Sequence, residues 1–270
     1  MLKTLLRKKY LQRITGVNHE SFKNLVKRLN RSWRLEQKRK CVAWWPYRIG
    51  DLREHLLLLL VYYRTYTTHL FLAQIFHVDE ATVSRSIQRI MPLAERILKI
   101  KPEKLLSENE LQLLIVDATE QRIERPKNQR DYYSGKAHAH TIKTEVVIEP
   151  KGRILRVSKP YEGRIHDFEI RKTEGPLPAV PILADSGYQG LQNEHSAAVI
   201  LPKKKPKNGS LSASDQARNT KLARCRIAIE HTFAHLKKWH ILAARYRGHL
   251  SNYPTIFQTI AGIYNLSRTK

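Results

Sequence analysis

Two apolar segments in the second half of the chain each end in an aspartate, and they limit the possible folds more than any other feature. Residues 113–116 are followed by Asp117, and residues 180–184 are followed by Asp185. Apolar runs of this length are typical of buried strands. A carboxylate at the end of a buried strand is costly to keep charged without a partner, and a divalent cation is one such partner. Each aspartate could instead cap a following turn or helix, and the residues alone leave both interpretations open.

The charge of the chain favours a nucleic acid as its partner. The 270 residues include 49 Lys and Arg against 24 Asp and Glu, which gives a formal net charge of +25. An excess of this size says more about partners than about fold. Polyphosphates fit it, because each phosphate neutralised by Lys or Arg releases condensed counterions. Since 41% of the residues are hydrophobic, a packed enzyme-like domain is also expected.

Hydrophobicity and cysteine usage predict where such a protein works. The longest aliphatic run, residues 56–61, is far shorter than the roughly 20 residues that a membrane span needs. Cys41 and Cys225 form no C-x-x-C pattern, which fits a reducing compartment. We therefore expect a soluble, cytoplasmic protein that is not associated with a membrane.

The front part of the chain is basic and helical in pattern, and it contains a predicted helix-turn-helix. Residues 67–85 have the pattern of helix, tight turn and helix, with Thr67 or Thr68 as the first cap and Asp79 as the second. If the second helix is a recognition helix, four polar side chains would face the major groove of DNA. They are Thr82, Ser84, Arg85 and Gln88. A plain three-helix packing domain is the alternative.

After Pro102 the pattern changes from helices alone to strands mixed with helices. A hairpin is predicted over residues 141–157, and helices over residues 212–240 and 252–266. We therefore expect two domains: residues 1–104, with the helix-turn-helix at about 67–90, and residues 105–270. A Pro- and Lys-rich loop near residue 205 could follow a phosphate strand, or it could simply be solvated. Its lysines include Lys203, Lys204 and Lys205.

A third acid lies on the predicted helix of residues 212–240. Glu230 borders an apolar stripe with helical spacing. Arg226 lies four residues before it and Lys237 seven after it, so the three side chains lie on nearly one face. Glu230 could complete a metal site while the two cations meet the DNA backbone. A solvated salt bridge between Arg226 and Glu230 is the alternative.

Five short segments occur in an order that resembles the motifs of DDE transposases. They are Asp117-Ala118-Thr119-Glu120, Tyr132-Tyr133-Ser134-Gly135-Lys136, Gly163-Arg164-Ile165-His166-Asp167, Ala184-Asp185-Ser186-Gly187-Tyr188-Gln189-Gly190 and Arg226-x₃-Glu230-x₆-Lys237. The similar group is the bacterial insertion-sequence transposases related to eukaryotic Harbinger elements. The similarity runs from about residue 45 to the C-terminus. In two places the chain departs from the usual pattern: the turn Gly of the helix-turn-helix is replaced by His77, and the Tyr three residues before Arg226 is replaced by Ala223.

The resemblance implies an α/β fold, in which an all-helical helix-turn-helix domain precedes a ribonuclease-H-like catalytic domain with a mixed five-stranded sheet. It also implies that Asp117, Asp185 and Glu230 form a catalytic triad that binds divalent metal, Mg²⁺ or alternatively Mn²⁺. Arg226 and Lys237 match the basic positions around the family's catalytic glutamate. Asp167 is a competing carboxylate that could contact the metal or its water.

The leading hypothesis is a DNA transposase that cuts transposon ends and transfers them to target DNA by two-metal phosphoryl transfer. The expected partners are terminal inverted repeats and target DNA. The resemblance to bacterial transposases also implies association with the bacterial nucleoid. Because two ends must be paired, we expect a homo-oligomer on DNA. The alternatives are a domesticated DNA-binding regulator and an endonuclease of the same fold that cuts without joining. The lack of an H-E-x-x-H pattern and of a cysteine pair argues against a zinc site.

Overall fold

A computed structural model of the chain describes residues 7–39, 47–102, 111–206 and 209–268. Two compact units are formed by the described residues. The first takes those of Met1–Lys99, Leu236–Ala244 and Gly248–Lys270, and the second takes those of Ile100–His235 and Arg245–Arg247. The expected domain boundary at residues 104 and 105 lies outside the described residues, and so does Cys41. The C-terminal segment groups with the front helices, whereas we expected it within the catalytic domain.

The described helices and strands are numbered here in chain order. The helices are α1 (Lys8–Thr15), α2 (His19–Arg39), α3 (Leu52–Thr65), α4 (His69–Phe76), α5 (Glu80–Leu98), α6 (Gln129–Tyr132), α7 (Asp167–Thr173), α8 (Ala213–Lys237), α9 (His240–Ala243) and α10 (Tyr253–Leu266). The strands are β1 (Leu114–Arg122), β2 (Tyr133–Ser134), β3 (Ala139–Ile148), β4 (Ile154–Val157), β5 (Tyr161–Glu162), β6 (Ile182–Ala184) and β7 (Val199–Ile200). Short 3-10 helices lie at Ser186–Tyr188, Leu191–Asn193 and Leu250–Asn252.

Helix α3 forms the centre of the first unit. The leucines of residues 56–60 are all buried, as expected for a helix that is apolar on every side. Asp51 begins the helix, because its carboxylate accepts hydrogen bonds from the N–H groups of Arg53 at 2.8 Å and Glu54 at 3.2 Å. Helices α1, α2, α5 and α9 pack around α3 and cover its apolar surface.

A close approach between α10 and α5 places the C-terminal helix in the first unit. A Cβ atom at Gly262 would lie only 2.1 Å from the carbonyl oxygen of Leu98, so only glycine allows this distance. The hydroxyl of Thr255 also donates a hydrogen bond to Glu95 at 2.9 Å. This contact explains why the C-terminal segment belongs to the first unit. No local sequence pattern predicts it.

The predicted helix-turn-helix is formed by α4 and α5. Thr68 caps α4 by accepting a hydrogen bond from the N–H of Phe71 at 3.2 Å, and Asp79 caps α5 by accepting one from Thr82 at 2.7 Å. His77 has φ 54°, so the position that usually holds glycine is in the left-handed region here. The apolar spacing of these segments predicts a small core of Leu72, Phe76, Val78, Val83 and Ile87 between the two helices. Four of these side chains are buried, whereas Val78 is half-buried.

The sheet of the second unit is mixed, which confirms the predicted class of fold. Its strand order is β2-β3-β1-β6-β7, and β4 and β5 also pair with β3. β3 is antiparallel to β1, whereas β6 is parallel to both β1 and β7. The sheet has seven strands rather than the five expected, because β2, β4 and β5 all pair along the length of β3.

One face of this sheet covers the apolar core of the second unit. Leu114 and Val116 of β1 lie in that core with Ile182 and Ala184 of β6. Successive side chains on a strand point to opposite faces, so Asp117 points away from the core that holds Val116. The two faces therefore differ: one is closed by apolar packing, and the other carries the predicted acids.

No helix in the described parts of the chain is long and apolar enough to cross a membrane.

Candidate active site

Asp117 and Asp185 lie beside each other in the middle of the sheet, where the pairing of β1 with β6 ends. Asp185 directly follows β6 as expected, whereas Asp117 lies within β1, because this strand continues to Arg122 by pairing with β3. β1 and β6 run parallel in a register that pairs Val116 with Ala184. Each aspartate follows its member of this pair by one residue, so the two side chains are on the same face of adjacent strands. Asp185 also caps the following 3-10 helix, because its Oδ1 accepts from the N–H of Ser186. The capping interpretation of Asp185 and the pairing of the two acids therefore hold together.

The guanidinium of Arg226, on α8, joins the two carboxylates. Its Nη2 donates to Oδ2 of Asp117 at 2.9 Å, and its Nη1 lies 3.6 Å from Oδ1 of Asp185. The side chains of Arg226 and Asp117 are 16% and 17% exposed, whereas that of Asp185 is 42% exposed. Arg226 therefore approaches the acids from within the unit, and Asp185 forms the solvent side of the site.

The pKa of Asp117 is raised mainly by burial of its carboxyl group. Burial raises the pKa of the Asp117 carboxyl, the ion pair and hydrogen bond with Arg226 and the N–H of Ala118 lower it, and neighbouring Asp185 raises it. The net direction is upward despite the guanidinium. One monovalent cation is thus insufficient to offset the burial of a carboxylate beside a second one, so the pair is suited to a cation of higher charge.

Glu230 is exposed on α8, one helical turn beyond Arg226 and on the same side of the helix. Among the residues that the structure describes, no group of three or more Asp, Glu, His or Cys side chains is arranged to hold a metal ion. The structure therefore brings Asp117 and Asp185 together around Arg226 but does not assemble Glu230 with them. The triad of Asp117, Asp185 and Glu230 stays a prediction. Lys237 is exposed and is the last residue of α8.

Asp167 is held by an ion pair next to the segment that follows Asp185. Nζ of Lys143 lies 3.0 Å from its Oδ1 and also donates to the carbonyl of Ile165 at 2.8 Å. A Cβ atom at Gly187 would lie 3.0 Å from Oδ2 of Asp167, so the chain passes close over this carboxylate. Its accessory role near a metal remains a prediction, and the partner seen here is a lysine.

A buried ion pair on the core side of the sheet was not foreseen from the sequence. Glu145 and Arg171 are only 1% and 3% exposed, and the guanidinium of Arg171 hydrogen-bonds the carboxylate. Burial raises the pKa of Glu145 to about 7, although Arg171 opposes this shift. Glu145 pairs with Ala118 across β1 and β3, so it points to the face opposite Asp117. The one available signal was an acid within the apolar run of β3.

The predicted DNA-contacting residues of α5 differ in exposure. Arg85 and Gln88 are exposed, whereas Thr82 and Ser84 are half-buried. Thr82 donates a hydrogen bond to Asp79 at 2.8 Å and accepts one from Arg85 at 3.0 Å. The hydroxyl of Thr82 is thus engaged at the start of the helix, and Arg85 and Gln88 offer the more accessible side chains.

The lysines of the predicted basic loop have unequal partners. Nζ of Lys203 pairs with Asp215 at 2.8 Å, and the side chain of Asn219 hydrogen-bonds both the N–H and the carbonyl of Lys203 at 2.9 Å. These bonds fix the loop to the first turns of α8. Lys204 and Lys205 are exposed, so they are the members of the loop best placed for a phosphate strand.

A mixed sheet with two paired aspartates, together with a helix-turn-helix region, fits the class of DNA-processing nucleases. Two known families match the sequence in agreement with this class. Residues 116–265 match the family described as DDE superfamily endonuclease, and residues 48–100 match the helix-turn-helix of DDE superfamily endonuclease.

Two relatives narrow the class further. A protein of Microchaete diplosiphon, described as a probable transposase for insertion sequence element IS702, is 33% identical over 261 residues, which cover 94% of this chain and 92% of the relative. A transposase described for insertion sequence element IS112 of Streptomyces albus G is 27% identical over 202 residues, which cover 71% of each chain. This chain belongs to the DDE superfamily of endonucleases, as a transposase of the insertion-sequence type. Endonucleases of this superfamily generally use divalent metals.

Proposed function

We propose that this transposase cuts the ends of an insertion sequence and joins the freed 3′ ends to target DNA, with Asp117, Asp185 and Glu230 as its metal ligands. The observation that carries this function is the side-by-side position of Asp117 and Asp185 at adjacent parallel strands. The two acids are 68 residues apart in sequence (185 − 117 = 68), and two adjacent carboxylates repel each other unless a cation lies between them. A shared divalent metal would supply that positive charge.

The donor chemistry of the pair fits Mg²⁺ or Mn²⁺. Both ligands are carboxylates, and Mg²⁺ binds through one or two carboxylates while keeping waters and phosphate oxygens. The raised pKa of Asp117 supports the same assignment, because a divalent cation would stabilise the charge that burial opposes. When bound, the metal ions activate the attacking oxygen and stabilise the leaving oxygen of an in-line displacement.

The residues of the chain then have separate tasks. Asp117 and Asp185 hold and orient the metal on the face of the sheet opposite its apolar core. Glu230 supplies a third carboxylate from α8 once its side chain turns toward the pair. Lys237 and Arg226 contact phosphates of the DNA. Asp167, paired with Lys143, acts at most through a metal-bound water.

The helix-turn-helix recognises the terminal inverted repeats by placing α5 in the major groove. Arg85 and Gln88 are the exposed base-reading candidates on this helix. Lys204 and Lys205 follow a phosphate strand, where their charge contributes to affinity and to its salt dependence. Pairing of two transposon ends requires at least two copies, so the active form is a homo-oligomer on DNA.

Cleavage and joining assays on full-length protein test this function. The substrate is a labelled duplex that carries the inverted repeat of the element, with Mg²⁺ or Mn²⁺ and a plasmid target. We expect Asp117→Asn, Asp185→Asn and Glu230→Gln each to lower cleavage by about 100-fold or more, since even residues that only support metal ligands affect activity by about 10–100-fold. Asp131→Asn and Glu194→Gln make the same charge changes at exposed positions and should retain activity.

Three other results of these assays would indicate a different function or a different set of metal ligands. Full activity of Glu230→Gln removes that residue from the triad. Metal-dependent cleavage without joined products indicates an endonuclease that cuts only. Sequence-specific DNA binding with no cleavage under any metal indicates a regulator that has lost its chemistry.

A further inference from the structure

The two carboxylates that would hold metal already share one cation from the protein itself. Two different nitrogens of Arg226 approach two different carboxylates, Asp117 at 2.9 Å and Asp185 at 3.6 Å. A planar guanidinium presents several donors in a fixed geometry, so one arginine can serve both acids at once. At 16% exposure, the side chain is largely withdrawn from water, which makes this a directed contact rather than a loose surface pair.

A divalent cation bound by the same acids would come into conflict with Arg226. A metal bound by Asp117 and Asp185 would lie within a few ångström of the guanidinium, and like charges at that distance repel each other strongly where water is scarce. The carboxylate oxygens that Arg226 approaches would also have to exchange a hydrogen bond for a metal bond. Guanidinium and metal would therefore compete for the pair.

The bonding of Arg226 at this position is incomplete. Its Nε–H is buried and has no acceptor within the described part of the chain. A buried donor without a partner carries a desolvation cost, so the guanidinium leaves this place more easily than a fully bonded one would. A phosphate offers both the missing acceptor and a full negative charge, and arginine binds phosphate well.

We propose that Arg226 is a positioning residue that holds Asp117 and Asp185 until DNA binds, and that it competes with the divalent metal for these two acids. A DNA phosphate draws the guanidinium away, and the pair then accepts metal. The same movement clears the side of α8 on which Glu230 lies one turn further on. DNA and metal therefore bind with positive coupling, and each raises the affinity of the other by the same factor. This role rests on the proposed metal-binding function of the pair.

Metal affinity, measured without catalysis, tests this role. Mn²⁺ binding to full-length protein is followed by calorimetry or by the electron paramagnetic resonance of free Mn²⁺, with and without a pre-cleaved duplex that ends in a 3′-hydroxyl. Without DNA, we expect Arg226→Gln to bind Mn²⁺ about tenfold more tightly than the wild type, which equals about 1.4 kcal/mol. The duplex should tighten Mn²⁺ binding to the wild type and leave Arg226→Gln nearly unchanged.

Arg224→Gln is the matched control, because Arg224 is an exposed arginine on the same helix and its replacement removes the same charge. It should behave as the wild type does, with and without DNA. Arg226→Lys keeps the charge but has a single ammonium in place of the fork, so its affinity should lie between those of the wild type and Arg226→Gln. If Arg226→Gln does not fold, Arg226→Lys still carries the test. Without metal, unfolding temperatures should fall in both Arg226 variants, and Mn²⁺ should raise them by more than in the wild type.

The competition by Arg226 and the metal site itself are overturned by different results. Equal Mn²⁺ affinity of Arg226→Gln and Arg224→Gln, with loss of binding in Asp117→Asn, overturns the competition and leaves the metal site standing. Failure of Mn²⁺ to bind any of the folded proteins, with or without DNA, overturns the metal site and the competition with it.

Discussion

Mild acid should destabilise the helical first unit through one buried histidine. His55, on α3, is fully buried, and its Nδ1 hydrogen-bonds the hydroxyl of Ser86 at 2.5 Å. Its ring packs against Trp33 and Tyr47, with centroid distances of 4.6 and 5.3 Å. Its Nε2 finds no partner among the described residues. A protonated, positively charged ring would therefore have little to offset the cost of its burial.

The loss of stability at low pH is set by the difference between the pKa of His55 in the folded and in the unfolded chain. Burial lowers the pKa of His55 from 6.5 to about 4; Arg89 lowers it further and Asp51 opposes the shift. As the pH falls below 6.5 the unfolded chain takes up a proton that the folded chain refuses, so stability is lost between pH 6.5 and about 4. The full loss is about 3 kcal/mol, and about 2 kcal/mol of it has occurred by pH 5.

Hydrogen exchange measures this loss locally, which matters for a chain with two units. The amides of α3 are followed by mass spectrometry at pH 7.5 and pH 5, with correction for the intrinsic exchange rates. A loss of about 2 kcal/mol makes the opening of α3 about 30-fold more populated at pH 5. His55→Gln keeps a side chain that can hydrogen-bond Ser86 but does not titrate, so its corrected exchange should change little with pH.

The matched control is His231→Gln, because His231 is exposed on α8. It should leave the pH dependence of α3 intact. An equal pH dependence in the wild type and in His55→Gln would refute the reasoning, because the proton would then be taken up elsewhere.

Two further predictions concern packing and buried charge. Gly262→Ala should destabilise the first unit by about 1–3 kcal/mol in urea denaturation, since the new methyl group meets the carbonyl of Leu98. Gly135→Ala is the control and should change stability little, because its methyl group meets open space. Equal effects of the two substitutions would argue against the close contact at Gly262. Arg171→Leu should cost about 3–5 kcal/mol by leaving Glu145 buried without its cation, and replacing both residues by Leu should recover much of the loss; no recovery would show that packing, not charge, is responsible.

The two aspartates could be predicted as site candidates because each follows an apolar run. The predicted strand end is correct at Asp185 but wrong at Asp117, because β1 continues to Arg122 by pairing with β3. What the sequence did not contain was the pairing of β1 with β6. Strand order and register depend on contacts between distant segments, which leave no local pattern.

The charge partners of the site were less predictable than its acids. Arg226 was expected to face DNA or to pair with Glu230, four residues away on the helix. It pairs instead with two aspartates from the sheet, since helix spacing shows only which side chains share a face and not what that face meets. The same limit applies to Glu145 and Arg171, whose pairing depends on how α7 packs on β3.

In the helical first unit, the helix caps could be predicted from the sequence but the packing of the C-terminal helix could not. Thr68 and Asp79 could be predicted as caps, because capping depends on residues within a few positions. Helix α10 was also predicted nearly to its ends. Its place beside α5 was not, because the contact of Gly262 with Leu98 depends on a close approach between segments far apart in the chain.

The equal offset of Asp117 and Asp185 from the paired residues Val116 and Ala184 restricts how the gene can change in length. A single codon gained or lost within either strand would turn one acid to the opposite face, because side chains alternate with a period of two. Insertions between the strands leave both acids on the same face of the sheet. Natural length variation among descendants of this gene should therefore occur in the connecting loops, while the segments 114–117 and 182–185 keep a constant length.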